Sequence, residues 1–402
     1  MSASGISTAP TSMPIMARAV FAILKRIRHG SLALTTPDGT THTFTGPEPG
    51  TRADLHLMDW KVASELMRSA DIAMAECYRD GRLKSSDWTA LLMFFVENAA
   101  PLEDVFYGNK LAVIYYRVLH WLRSNSKRQA RKNIAAHYDL SNDFYRLWLD
   151  PTMTYSSGVG VSGQDMEAAQ LAKYDRMLRL LDPKPGDHIL EIGCGWGGFA
   201  ERAAKTRGVK VTGITLSEAQ LAFARERMKR GGLDHLVTLK LVDYRDVREQ
   251  FDHIVSIEMF EAVGEQYWPT YFATVHECLK PGASAMIQAI TIAEDAFPRY
   301  RETSDFIREY IFPGGMLAPV PRFIADAAKA GLAAGEPFLF GIDYADTLKF
   351  WRDRINAVDA EVKALGFDEK FLRIWRFYLC YCEAGFRTGR TDVMQIQLTR
   401  AR

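Results

Sequence analysis

The sequence predicts an α/β protein: a doubly wound, mostly parallel sheet with a smaller α+β domain ahead of it. Three observations carry that expectation. From Asp187 onward, short apolar runs alternate with helical runs, which is the pattern of repeated βαβ units. The first strand-to-helix turn of that series is Gly193-Cys194-Gly195-Trp196-Gly197-Gly198, a glycine loop at the crevice where such sheets bind ligands. The composition is globular, with 402 residues, 50 Lys+Arg against 49 Asp+Glu, a net charge of +1 and 48% hydrophobic residues. That is too apolar for a disordered chain and too balanced for one that offers its whole surface to nucleic acid, so no nucleic-acid partner is expected.

Residues 1–14 are rich in Ser, Thr, Ala and Pro and read as a loose tail; 15–125 read as the small N-terminal domain and 126–402 as the α/β domain. Met16 to Arg28 places Val20, Phe21, Ile23, Leu24 and Ile27 near helical spacing, with Arg18, Lys25, Arg26 and Arg28 between them, a basic amphipathic helix. Gly30 to Phe44 alternates around Pro37-Asp38-Gly39 and predicts a hairpin. Helices are expected around Trp60 to Ser69, Ile72 to Asp80 and Ser86 to Asn98. Between Asp104 and Asp139 no acid occurs, while Lys110, Arg117, Arg123, Lys127, Arg128, Arg131 and Lys132 all fall there with Tyr115, Tyr116 and Trp121. That stretch fits docking on an anionic bilayer surface, or a solvated helix and linker, and the domain boundary is placed near Ser124 to Lys132.

In the second domain the expected strands are His188 to Ile192, Val209 to Ile214, Val237 to Val242, Phe251 to Ile257 and Ala283 to Ile290. Helices are expected at Trp196 to Thr206, Ser217 to Lys229 and Tyr267 to Leu279, the last ended by Pro281-Gly282. The longest apolar run, Leu91 to Val96, is far shorter than the roughly 18–20 residues of a membrane-spanning helix. The N-terminus has no charged region followed by an apolar one. The five cysteines show no repeated CxxC spacing, so neither a zinc site nor a disulfide framework is expected. The expected location is cytoplasmic, peripheral on the inner face of the membrane.

Gly193, Gly195 and Gly198 satisfy the GxGxxG spacing of dinucleotide sites. Two features point elsewhere. Glu191, directly ahead of the first glycine, would repel a pyrophosphate and could orient a cationic amino-acid group. The second strand ends in Gly213-Ile214-Thr215-Leu216-Ser217, without the acid that meets a dinucleotide ribose. By itself the loop is compatible with a nucleoside-containing ligand or with a structural tight turn.

With its neighbours the loop is more specific. The runs HYDLSNDFYRLWLDPTMTYSSG (137–158), LEIGCGWGG (190–198), GITLSEAQ (213–220), VSIEMFEAVG (255–264), IREYIFPGG (307–315), FGIDYADTL (340–348) and FRTGRTDVMQ (386–395) resemble, in order, the cyclopropane-fatty-acyl-phospholipid synthases and the related mycolic-acid methyltransferases. The resemblance implies a class I S-adenosylmethionine methyltransferase fold, Rossmann-like, with helical insertions over an acyl site. It assigns Tyr155 and Ser156 to the amino-acid end of S-adenosylmethionine, and Glu191, Gly193, Gly195 and Gly197 to the loop beneath it. Thr215, Leu216 and Gln220 would face the ribose, Asp243, Tyr244 and Arg245 the adenine, and Ile257 the methionine moiety. The implied substrate is a membrane phospholipid with an unsaturated acyl chain, and a homodimer is left open.

An unactivated alkene is a feeble nucleophile, so the implied reaction needs an electrophilic methyl, exclusion of water, walls that stabilise a cation, and one base that selects the departing proton. Glu258 and Glu261, just past the fourth strand, are a candidate carboxylate pair, or helix caps. In the family the base is a bicarbonate ion held by cysteine, glutamate, histidine, an isoleucine amide and tyrosine. Glu261, Ile290 and Tyr344 match that set, while Ser157 stands at the cysteine position and Gln288 at the histidine position. Bicarbonate therefore remains open as a cofactor. Ring formation leads, with a methylated or methylene chain as the alternative. Cys382 matches a cysteine sometimes proposed as catalytic, but with no nearby His or Lys run to lower its pKa it reads first as a core residue. His137 would contact substrate or cap local structure. Phe306, Tyr310, Phe312, Trp351, Trp375, Phe377 and Tyr378 offer aromatic area for an acyl tunnel or for the core.

Overall fold

The computed structural model describes residues 13–100, 102 and 140–402. The acid-free stretch, the boundary placed near Ser124 to Lys132 and His137 lie outside the described residues. Among these residues the chain divides into two compact units, one of 13–100 and 102 with 368–384, the other of 140–367 with 385–402. The return of 368–384 to the first unit was not visible in a linear division at residue 126.

In the first unit the N-terminal helix is Ile15–Leu24, burying Ala17, Val20, Ile23 and Leu24. It stops short of the expected Arg28: the Arg26 amide turns back to the Ile23 carbonyl (2.8 Å), and His29 already begins strand β1. The hairpin forms as expected from β1 (His29–Thr35) and β2 (Thr41–Thr45), its turn tied by the Thr36 hydroxyl donating to Asp38. An unforeseen strand, β3 (Glu48–Leu57), runs parallel to β1, and the short β4 (Leu83–Lys84) closes the order β2-β1-β3-β4. Pro49, Gly50 and an exposed first half of β3 hide it from a periodicity reading. Helix Lys61–Arg79 breaks at Ser69 and Ala70, the latter at φ +38°, which is the gap expected between two helices. Phe377 packs against Trp88 with ring centres 5.5 Å apart, and Glu383 accepts from Thr89, both inside this unit. Trp375, Phe377, Tyr378 and Cys382 thus belong to the first unit.

The second unit is an α/β sandwich on one sheet. Strands β5 (His188–Ile192), β6 (Lys210–Thr215), β7 (Val237–Leu241), β8 (Phe251–Ile257) and β9 (Leu279–Ile292) run parallel; β10 (Leu332–Ala334), β11 (Phe338–Leu339) and β12 (Thr391–Arg400) complete it. The order is β10-β12-β9-β8-β5-β6-β7, with β12 antiparallel to β9 and β11 paired to β12. Ile189, Leu190, Ile254 and Val255 are sealed from solvent, as expected of strands covered on both faces. Phe260, Trp268, Tyr271, Phe272 and Phe323 pack one face; Met177, Phe199, Ala203 and Met228 pack the other. Burying each large side chain is worth about 1.5–3 kcal/mol.

Helix starts follow their caps. The Asp165 carboxylate accepts from the Ala168 amide, opening Met166–Leu181, and Ser217 accepts from Gln220, opening Glu218–Arg230. One boundary differs from expectation. The helix Trp268–Cys278 passes directly into β9 at Leu279, and Pro281-Gly282 lie inside the strand, where a register shift against β8 absorbs the missing donor. From β5 the strand order steps one way to β6 and β7 and then returns to β8 on the other side of β5, so the carboxyl ends of these parallel strands open the crevice.

Candidate active site

After β5 the backbone enters the left-handed region at Gly193 (φ +86°), Gly195 (φ +50°) and Gly197 (φ +82°), which glycine adopts without a Cβ penalty. The amides of Gly193 and Cys194 both donate to the Ile214 carbonyl, at 3.0 and 2.9 Å, stapling the loop to β6. A Cβ built on Gly195 would meet no atom within 4 Å, so this residue faces open space. That space is a cleft of about 970 Å³, counting its open mouth. Its walls include Tyr155, Ser156, Glu191, Gly193, Gly195, Thr215, Leu216, Gln220, Tyr244, Ile257 and Glu258, with Met153, Trp196 and Met259, which the sequence did not single out.

Glu191 is 3% exposed, and its Oε2 has no partner in the protein. Burial pushes its carboxyl well above the usual range, against the opposing pull of Arg227 and the Ala200 amide. A buried acceptor aimed into a glycine-lined cleft suits a cationic amino-acid group. Thr215 and Gln220 meet each other at 3.2 Å beside it. The Asp243 carboxylate is engaged by Arg245, through the backbone amide at 3.0 Å, Nε at 2.8 Å and Nη2 at 2.7 Å. Of that trio only Tyr244 lines the cleft. Its aromatic face with acceptors and donors near the glycine loop fits a nucleoside bearing a zwitterionic tail, so the donor set suits S-adenosylmethionine.

At the end of β8 lies a cluster of buried polar groups. Glu258 has φ +48°, a strained conformation for a residue with a side chain, and its amide donates to the Gln288 carbonyl at 2.8 Å. Its Oε1 accepts from the Ser157 amide (2.9 Å) and from Gln288 Nε2 (2.7 Å), and its Oε2 from the Tyr344 hydroxyl (2.6 Å). Three of the expected oxyanion ligands therefore converge on Glu258. Glu261, expected beside them as a ligand of the same ion, accepts from the Ile290 amide, and its Oε2 is buried without a partner. The sequence places a pair of carboxylates here but not which one gathers the donors. The reason is the left-handed turn at Glu258, which folds its side chain back over β9.

Desolvation raises the Glu258 carboxyl, opposed chiefly by Lys173. Desolvation, with Glu258 adding to it, pushes Glu261 up to about 8. Lys173, wholly buried on helix Met166–Leu181, donates to Ser156 Oγ and Gln170 Oε1, and burial lowers its ammonium to about 7. Two acids driven up and a lysine driven down, with Glu261 and Lys173 both feeling the charge of the cleft-lining Glu258, mark a site of proton chemistry. A sequence signal for Lys173 existed: Gln170 and Lys173 are polar at positions of the helix where Met166, Ala169, Tyr174 and Met177 are buried. Cys382 and the aromatic trio on its helix do not line the cleft, whereas Trp351 does approach it indirectly, 5.2 Å from Tyr155 between ring centres.

A family model, mycolic acid cyclopropane synthetase, matches residues 125–396. The chain belongs to this family. Among its curated relatives, the tuberculostearic acid methyltransferase UfaA1 of Mycobacterium tuberculosis is 38% identical over 393 residues, covering 92% of this chain and 88% of that protein. The cyclopropane-fatty-acyl-phospholipid synthase of Escherichia coli is 34% identical over 355 residues, covering 87% and 88%. Among solved structures, the mycolic acid cyclopropane synthase CmaA1 complexed with SAH and CTAB has a TM-score of 0.63 at 31% identity, covering 67% of this chain and 98% of that one. The chain is thus an S-adenosylmethionine-dependent methyltransferase with the class I fold, of a family that acts on unsaturated acyl chains of lipids. Among the described residues no helix is long and apolar enough to cross a membrane.

Proposed function

We propose that this member of the family methylates a cis double bond in an acyl chain of a membrane phospholipid, and that Glu258 accepts the proton that then leaves. The observation that carries this reading is the convergence of Ser157, Gln288 and Tyr344 on the Glu258 carboxylate beside a cleft fitted to the methyl donor. S-adenosylmethionine, when bound, supplies an electrophilic sulfonium methyl. Glu191 would hold its ammonium, with Tyr155 and Ser156 at the same end and the backbone of Gly193, Gly195 and Gly197 beneath. Thr215, Leu216 and Gln220 would meet the ribose, Tyr244 the adenine, and Ile257 the methionine portion; Asp243 and Arg245 support Tyr244 through their ion pair. As positive charge develops on the alkene carbons, the ionised Glu258 stabilises it and then takes a proton on a carboxylate oxygen, the Tyr344 hydroxyl turning to suit. Glu261, held neutral by burial, adds no competing anion.

Of the protein donors that would bind bicarbonate, the Ser157 amide, Gln288 and Tyr344 are spent on Glu258 and the Ile290 amide on Glu261, so a product that depends on that ion loses its anchor. Together with the likeness over 92% of the chain to the tuberculostearic acid methyltransferase UfaA1, which carries out non-ring methylation, this favours an acyl chain with a methylene branch, or a methyl branch beside a shifted double bond, over a ring. Ring closure is the second reading, supported by the Escherichia coli relative and by Glu261, Ile290 and Tyr344 at matching positions. The test incubates the purified chain with S-adenosylmethionine and unsaturated phospholipid vesicles in bicarbonate-free buffer. The expected product is heavier by one methylene unit and shows vinylic rather than upfield ring-methylene proton signals. No mass gain overturns the proposal. A requirement for added bicarbonate overturns the role of Glu258, and ring signals overturn the branched product.

A further inference from the structure

A row of buried side chains runs from the surface to Glu258, and the mechanism above does not use its outer members. Gln288 on β9 and Gln395 on β12 are register partners in the sheet, and both are sealed from solvent, at 0% and 1% exposure. Gln395 Nε2 donates to Gln288 Oε1 at 2.9 Å. Arg176, on the same helix as Lys173, donates from Nη1 to Gln395 Oε1 at 2.7 Å. Its guanidinium lies 4.0 Å over the ring of Phe338, itself paired with Gln395 across β11 and β12. Two amides sealed inside the sheet are costly unless each bond is made.

The ends of the row fix its direction. A glutamine amide presents either its oxygen or its nitrogen to a neighbour, and a row of amides alone could run either way. Arginine only donates and an ionised carboxylate only accepts. With Arg176 at the outer end, Gln395 must turn its oxygen outward and its nitrogen inward, and Gln288 must then point its nitrogen at Glu258. We propose that Arg176 and Gln395 are positioning residues for the reaction: they lock the Gln288 amide with its N–H toward Glu258, keeping that carboxylate ionised and aimed as the proton acceptor.

This inference rests on Glu258 being the acceptor, and its test separates the two. The charged and titratable groups that face Glu258 are Lys173 from the neighbouring helix, Tyr344 from the helix Gly341–Ala357, and Glu261 on its own turn, with Asp150 acting on Lys173. None of them is altered by changing Arg176 or Gln395. Without Arg176 the row is free to reverse, and Gln288 then offers its oxygen to Glu258, which favours the protonated carboxyl. The acid limb of the pH profile moves upward accordingly.

The experiment measures turnover, KM for the lipid, affinity for S-adenosylmethionine and the pH profile of kcat/KM in the full chain. The variants are Arg176→Met, Arg176→Lys, Gln395→Met and Glu258→Gln. Methionine at position 176 keeps an apolar stem over Phe338, and lysine keeps a group that only donates. Arg176→Met and Gln395→Met are expected to lower kcat about tenfold near neutral pH and to raise the acid limb by about one unit. S-adenosylmethionine affinity stays within about twofold of the parent, and Arg176→Lys recovers most of the loss. Unchanged kcat and an unchanged acid limb in folded Arg176→Met overturn the proposal. Should Gln395→Met fail to fold, the half-buried Arg176 pair decides alone. Near-normal turnover of Glu258→Gln overturns the acceptor reading, whereas its loss beside a normal Arg176→Met overturns only the positioning row.

Discussion

Replacing Glu191 by glutamine tests the cleft directly, because the change removes a charge and almost no volume. The side chain is 3% exposed and its Oε2 has no partner within the protein. If that oxygen meets the ammonium of S-adenosylmethionine, the variant loses one charge-assisted hydrogen bond, worth about 1.5–3 kcal/mol. The dissociation constant then rises about ten- to a hundredfold. Two further effects have definite signs. Burial raises the Glu191 pKa above 4.5 in the folded chain, so the folded state binds more protons than the unfolded one between 4.5 and the raised value, and stability falls as pH rises through that window. Glutamine removes this loss, so the ligand-free variant melts at the same or a higher temperature near neutral pH. A cationic ligand favours the ionised form, so wild-type affinity rises with pH as Glu191 gives up its proton, while the variant's affinity stays flat. Calorimetric titration across pH reads both. Binding with the parent's affinity and the same pH slope would refute the placement of Glu191 at the ammonium.

Gly195→Val is expected to abolish S-adenosylmethionine binding while the protein stays folded, because the added methyls enter open cleft rather than protein, at a left-handed backbone cost of about 1–2 kcal/mol; circular dichroism with calorimetric titration checks it. Glu261→Gln should reduce turnover far less than Glu258→Gln, since burial holds Glu261 protonated up to about 8 and an amide oxygen can still accept from Ile290; steady-state kinetics of the two variants decide. The acid-free sequence from Val105 to Tyr138, with the basic residues Lys25 to Arg28, is expected to bring the chain to anionic vesicles at about 1 kcal/mol per well-placed cation, weakening with salt; co-sedimentation indifferent to salt and to anionic lipid content would refute it.

Much of the second unit was legible because its central strands β5 to β8 are short, largely apolar runs separated by helical ones. β5 and β8 have the expected ends, and the helix after β6 starts at its Ser217 cap. The elements that escaped have weak local signals. β3 is half exposed, and β12 gets its partners from β9, more than a hundred residues earlier in the chain. Likewise the loop glycines Gly193, Gly195 and Gly197 announce a ligand crevice by themselves, since glycine accepts their left-handed backbone without a Cβ penalty, whereas nothing local announces Arg176 or Gln395.

The sequence by itself determined the class of sheet, the glycine loop with Glu191 ahead of it, the pair of carboxylates after β8 and the family resemblance, because each rests on neighbours in the chain or on periodic burial. Only the tertiary structure decided which carboxylate sits among the donors. Ser157, Glu258, Gln288 and Tyr344 come from four separate elements, and their meeting depends on the left-handed turn at Glu258 and on the register of β8 with β9. Lys173 shows the same division: its ammonium is lowered only because folding removes water from around it, against the upward pull of Glu258 and Asp150, which come from other segments. Periodicity records which face of an element is buried; the hydrogen-bond partners of a buried polar group are set by distant segments, and no local pattern encodes them.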